Sequence, residues 1–122
     1  MSESADVAKA CFQAYANHDR DALERLIAPD FRFTSPIDNA LDREAYFSIC
    51  WPFHTEIEDF GFIHVVPFGD KVFVTYEILS RKGARFRNSE VLTLQNGKVA
   101  VAEVYFGWNI PHNVPEGEHV IS

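Results

Sequence analysis

Residues 86–108 read FRNSEVLTLQNGKVAVAEVYFGW. Two extended runs, Arg85–Gln95 and Lys98–Trp108, flank Gln95-Asn96-Gly97, and Asn-Gly suits the type I′ turn of a tight hairpin. Side chains alternate between the faces of a strand. One face of the first run carries Arg85, Arg87, Ser89, Val91 and Thr93; the other carries Phe86, Asn88, Glu90, Leu92 and Leu94. The second face is apolar except for Asn88 and Glu90. A carboxylate on such a face must be paired, protonated or turned toward a wet cavity. Either Glu90 joins an ion pair, reached by Arg32 or Arg43 from another element, or it is a titrating group set into an apolar pocket. In the second run Ala100, Ala102, Val104, Phe106 and Trp108 share a face, grading from small to large as over a tapering hollow. The opposite face, with Val91, Val99, Val101 and Tyr105, is also apolar and predicts a covering partner, a second copy of the chain.

Working outward, Ile57–Phe68 and Lys71–Ser80 are two further extended runs, with turns at Phe68-Gly69-Asp70 and Arg81-Lys82-Gly83. The first half has a helical period. Val7, Ala8, Cys11, Phe12 and Tyr15 form one stripe over roughly residues 4–17, with Ser4 as its cap. Asp19 caps a second helix with Leu23, Leu26 and Ile27 inward, ended by Pro29. Residues 31–35 read as a short strand stopped by Pro36, and residues 37–41 as a loop. Asp42 caps a third helix with Tyr46, Ile49, Cys50 and Phe53 on one face, closed by Pro52. Helices first and an antiparallel meander after predict an α+β domain with the helices on one face of the sheet. One domain is expected over residues 1–122, with its core over about 5–108 and an irregular tail at 109–122.

The charge balance narrows the partners. Eighteen acids against eleven Lys and Arg give a net charge of −7, which repels phosphate backbones and anionic membranes. Nucleic acid and membrane partners are therefore not expected. The start, MSESADVAKA, lacks a basic segment followed by an apolar one, so no targeting signal is expected. No apolar run approaches the ~20 residues of a membrane span. Cys11 and Cys50 are far apart and read as two free thiols of a reducing compartment, so a cytoplasmic location is expected.

The helical pair VAKACFQAYANHDRDALERLIAPDFRF, the Pro-containing loop, the Asp-Arg helix start and FRNSEVLTLQNGKVAVAEVYFG together resemble the nuclear transport factor 2-like superfamily. Within it the chain looks closest to SnoaL-like and ketosteroid-isomerase-like proteins, over about residues 5–110. The resemblance implies a cone-shaped fold: three N-terminal helices on a curved antiparallel sheet enclosing a pocket, often dimeric. That scaffold carries isomerases, cyclases, hydrolases, dehydratases and non-catalytic modules. The ketosteroid isomerases' base, an Asp directly before a Pro, is Ser35 here; their oxyanion Tyr aligns with Cys11; their second, protonated donor falls near Glu90. Ser35 cannot supply the base without help and Cys11 is a weak donor, which argues against ketosteroid isomerisation itself.

Other groups complete the candidate set. Asp38 stands close enough to Pro36 to substitute for the missing base, or it caps the loop. His64 alternates with Phe60, Phe62, Val66 and Phe68, and so points inward, as a core histidine or as a proton carrier. The five histidines have no metal-ligand spacing, so neither metal nor cofactor is expected. The expected site has Glu90, Asn88, His64 and Asp38 as its polar groups and Tyr15, Tyr46, Cys50, Phe86, Val104, Phe106 and Trp108 as its lining. The function it implies is binding of a small apolar molecule, with acid–base isomerase, cyclase or hydratase chemistry. A non-catalytic binding or interaction module is the alternative, favoured by the missing Asp and Tyr.

Overall fold

In the computed structural model, which describes residues 3–120, the chain runs α1 (Glu3–Ala16), α2 (Arg20–Leu26), β1 (Ile27–Ser35), β2 (Asp38–Asp42), α3 (Arg43–Ile49), a short 3-10 helix (Trp51–Glu56), β3 (Ile57–Phe68), β4 (Lys71–Ser80), β5 (Arg85–Gln95) and β6 (Lys98–Asn109). Three α-helices pack on a curved, open sheet of six strands, ordered β2-β1-β6-β5-β4-β3. The sheet is mixed, not wholly antiparallel. β1 runs parallel to β6, with Arg32 opposite Val101 and Phe33 opposite Ala102. The remaining neighbours are antiparallel.

Local chemistry explains the helix starts. Asp19 Oδ1 accepts from the Ala22 amide at 3.1 Å, and Asp42 Oδ1 from the Ala45 amide at 2.8 Å, each satisfying one orphan donor. Helix α1 begins at Glu3, which places Ser4 in its first turn rather than at its cap. Helix α2 stops at Leu26, so Ile27 belongs to β1 and Pro29 lies inside that strand. The β1–β6 register slips between Ile27 and Arg32, and Pro29, which has no amide to donate, sits in that break.

Residues 37–41 were expected as a loop, but Asp38–Asp42 form β2 on the sheet edge, pairing Arg32 with Asp42 and Phe33 with Leu41. Phe53 lies in the 3-10 helix and not on α3. The core lies between the helices and the inner sheet face. Leu23, Phe31, Val72, Val74 and Val99 are its largest fully buried side chains, and Phe12 packs on Phe60 and Tyr76 with ring centres 5.7 and 4.9 Å apart. Val99 was expected on the outer face. A register shift between Thr93 and Leu94 turns it inward, opposite Leu94.

Candidate functional site

Between the helices and the inner sheet face lies a cavity of about 540 Å³. Tyr15 of α1, Tyr46 of α3, Cys50, Phe86, Asn88 and Glu90 of β5, and Val104, Phe106 and Trp108 of β6 all line it, as does Asp38 of β2. The closed end is formed where β4, β5 and β6 run side by side. Glu90 pairs across the sheet with Val74 on one side and Val104 on the other, both buried. At the open end stand Ile37, Ile49, Phe53, Phe106 and Trp108, lining residues that are also solvent-exposed.

His64 is not among the lining residues. β3 carries an extra residue between Phe62 and His64, so the alternation changes phase. Phe60 and Phe62 face inward before the bulge and Val65 after it, whereas His64, Val66 and Phe68 are exposed on the other face.

A hydrogen-bonded chain converges on Glu90. The Gly107 amide donates to Asn88 Oδ1 at 3.2 Å, Asn88 Nδ2 donates to the Tyr76 hydroxyl at 3.4 Å, and that hydroxyl donates to Glu90 Oε1 at 3.3 Å. Neither Arg32 nor Arg43 reaches the carboxylate. The Arg32 guanidinium donates to the Phe31 carbonyl, and Arg43 donates to the carbonyls of Glu24 and Ile27 at 2.8 and 2.7 Å. Arg87 lines the cavity, but its Nε donates to Glu77 Oε1 at 3.0 Å. Desolvation therefore dominates and raises the Glu90 pKa to about 7, the Tyr76 hydrogen bond opposing it.

The tyrosines and cysteines of the cavity stay neutral. Burial raises Tyr15, Tyr46 and Tyr76 far above the usual phenol range, and the Tyr15 hydroxyl donates to the Tyr46 hydroxyl. Burial, with Glu90 beside it, lifts the Cys11 thiol to about 12. Burial lifts Cys50 to about 11, with the charges of Asp38 and Glu90 adding to it. Both cysteines are free. Asp38 accepts from the Ser35 hydroxyl at 2.7 Å, which ties it to the strand end before Pro36. Among the described residues no cluster of three or more His, Cys, Asp or Glu is arranged to hold a metal ion.

Tyr76 is the functional-site residue that sequence reading missed. Its signal was available: Val72, Val74, Tyr76 and Ile78 alternate along β4, all buried, and Tyr76 stands opposite Asn88. What the arrangement supplies chemically is one carboxyl able to gain or lose a proton near neutrality, a phenol and an amide aligned behind it, and otherwise apolar walls.

A match to the SnoaL-like domain spans residues 8–102. No curated protein matches the sequence. Among solved structures, the chain is similar to a candidate ketosteroid isomerase of Kribbella flavida at 16% identity, covering 98% of this chain and 91% of that one, with a TM-score of 0.75. It is similar to a candidate polyketide cyclase of Sinorhizobium meliloti at 22% identity, covering 81% and 93%, with a TM-score of 0.71. An NTF2-like protein of unknown function from Burkholderia xenovorans is 21% identical over 98% and 96%, with a TM-score of 0.77. At such identities the structures speak for the fold, and the fold is NTF2-like. The domain match, which covers most of the chain, decides the family: the protein belongs to the SnoaL-like domain family.

Proposed function

We propose that the chain takes a small apolar molecule into its cavity and carries out cofactor-free proton transfer on it, as in isomerisation, cyclisation or hydration. The observation that carries this reading is the Glu90 carboxyl at the closed end of an apolar cavity, with Tyr76 as its hydrogen-bond partner and no cation beside it. A carboxyl titrating near neutrality can both accept and return a proton in one turnover. Asn88 holds the Tyr76 hydroxyl in place, which makes it a positioning residue. Asp38 is the candidate second proton carrier at the mouth. His64 has no part in the site. The partners of this reading are the apolar ligand and a second copy of the chain, and its two free thiols suit the cytoplasm.

The test couples binding to titration. The Glu90 carboxyl carbon, followed by NMR, should titrate near neutrality, and a ligand found by screening should shift that titration. Glu90→Gln should abolish proton exchange into a bound neutral ligand while leaving that neutral ligand's uptake intact. Uptake with no exchange in either protein would favour the second reading, a non-catalytic binding module. That reading rests on Ser35 standing before Pro36 and on Asp38 being tied to it.

A further inference from the structure

We propose that the molecule this cavity takes is a compact hydrophobic amine, seated with its ammonium against the Glu90 carboxylate and its apolar body along the aromatic walls. This rests on the reading of the cavity as a ligand site and names the chemical class of its occupant.

The charge inventory of the walls carries the inference. The acidic lining residues are Glu90 and Asp38; the basic one is Arg87. The Arg87 guanidinium is turned to the outer sheet face, where its Nε lies 3.0 Å from Glu77 Oε1, a carboxylate that it shares with Arg85, so it is engaged outside the cavity and not with Glu90. The remaining titratable groups that face Glu90 are Cys11 and Tyr15 from α1, Tyr46 from α3, Cys50 after it and Tyr76 from β4, all held neutral. β6 contributes Val104, Phe106 and Trp108, and β3 contributes Phe60, none of them charged. Among the described residues no cation is hydrogen-bonded or ion-paired to Glu90, so its negative charge has no partner inside the cavity.

The aromatic rings reinforce that sign. Phe33, Tyr46, Phe86, Phe106 and Trp108 line the space, and a ring face is the negative part of its quadrupole. An anionic ligand would meet like charge and lose its hydration with nothing in return. A neutral ligand is tolerated. A cation gains a charge-assisted hydrogen bond at Glu90 and the ring faces beyond it. The mouth fits the other end of such a molecule. Ile37, Ile49 and Phe53 are lining residues that are 81%, 61% and 41% exposed, an apolar collar with no guest of its own to cover it.

Proton linkage follows. An ammonium beside Glu90 favours the carboxylate, so amine binding below about neutral pH releases a proton from Glu90, and affinity rises with pH up to the Glu90 titration.

Three molecules of one shape separate the possibilities: adamantylamine, adamantanol and adamantanecarboxylate, followed by tryptophan fluorescence and calorimetry with the intact chain. At about pH 8 the amine should bind about tenfold or more tighter than the alcohol, and the carboxylate weakest. At about pH 5 the margin over the alcohol should shrink, and in Glu90→Gln it should disappear at both pH values. The pH series on the unaltered protein makes the same test without any substitution. An alcohol or carboxylate that binds as tightly as the amine, or an amine preference that survives Glu90→Gln in a folded variant, overturns the amine inference while leaving the ligand cavity standing. Failure of all three to bind overturns both.

Discussion

At Glu90 a single side chain sets the balance between stability and chemistry. Its folded pKa of about 7 lies above the ordinary carboxylate value of 4.5. The folded state therefore binds the proton more tightly than the unfolded one. The favourable contribution is full below the unfolded pKa, declines as pH rises between the two values, and is gone above about 7. The ceiling on that change is about 3 kcal/mol. Glu90→Gln should thus match the parent protein in acid and exceed it by up to about 3 kcal/mol in mild alkali, as read from denaturant midpoints at each pH. Tyr76→Phe removes the one hydrogen bond that favours the carboxylate. It should move the Glu90 carboxyl carbon titration upward from about 7. Glu90 and Asn88 were legible in the sequence because strand alternation alone sets them on an apolar face. The inward face of Tyr76 was as legible, from its alternation with Val72, Val74 and Ile78, but its link to Glu90 was not, since that depends on its register opposite Asn88 on the neighbouring strand.

Among the elements, bulges decide what the sequence conceals. The helix starts at Asp19 and Asp42 and the Asn96-Gly97 hairpin are local chemistry, and each is found where its residues stand. His64 and Val99 were assigned to the wrong faces because one extra residue in β3 and one in β6 reverse the alternation, and a bulge leaves no local mark in composition. β2 was read as a loop because a five-residue edge strand gains its identity from pairing with β1, a long-range contact. The shift between Phe86 and Asn88 is the exception, as it falls at Gly107. A Cβ there would lie 2.2 Å from the Arg87 carbonyl oxygen, a backbone atom with little freedom to give way. Gly107→Ala should cost roughly 1–3 kcal/mol and should weaken the Gly107 amide's hold on Asn88, visible as a lower unfolding midpoint and a shifted Glu90 titration. Val104→Trp, by contrast, fills the cavity beside Glu90 without crossing a backbone; ligand uptake should fall while far-ultraviolet circular dichroism is unchanged.

At the scale of the whole molecule, the outer sheet face is the surface suited to a partner. Val66, Phe73 and Val91 stand in one cross-strand row and Tyr105 in the next, with Phe73 43% and Tyr105 56% exposed. Glu103 continues the first row opposite Val91 and accepts from the Tyr105 hydroxyl at 3.4 Å, and Thr75, Ser89 and Thr93 stand around them. A homodimer through this face is expected, without Val99, which lies in the core. Sedimentation velocity at micromolar concentration should give a dimer, and Tyr105→Glu with Phe73→Glu should give a monomer of unchanged circular dichroism. A monomer from the unaltered chain would leave the face without that partner. Among the described residues no helix is long and apolar enough to cross a membrane.

The last strand is also the central one. β6 sits between β1 and β5, so it joins the N-terminal edge pair to the meander, and neither part of the sheet meets the other without it. During synthesis the chain must therefore wait for residues near 109 before its barrier to folding can be crossed, and the helices made earlier have no complete surface to dock on. Refolding should be slow for a domain of this size, in the millisecond-to-second range typical of long-range pairing. Pulse-labelled hydrogen exchange should show amides of β1 and β6 gaining protection in the same step. Early protection of β1 with β2 alone would mean that the edge pair forms before the strand that anchors it.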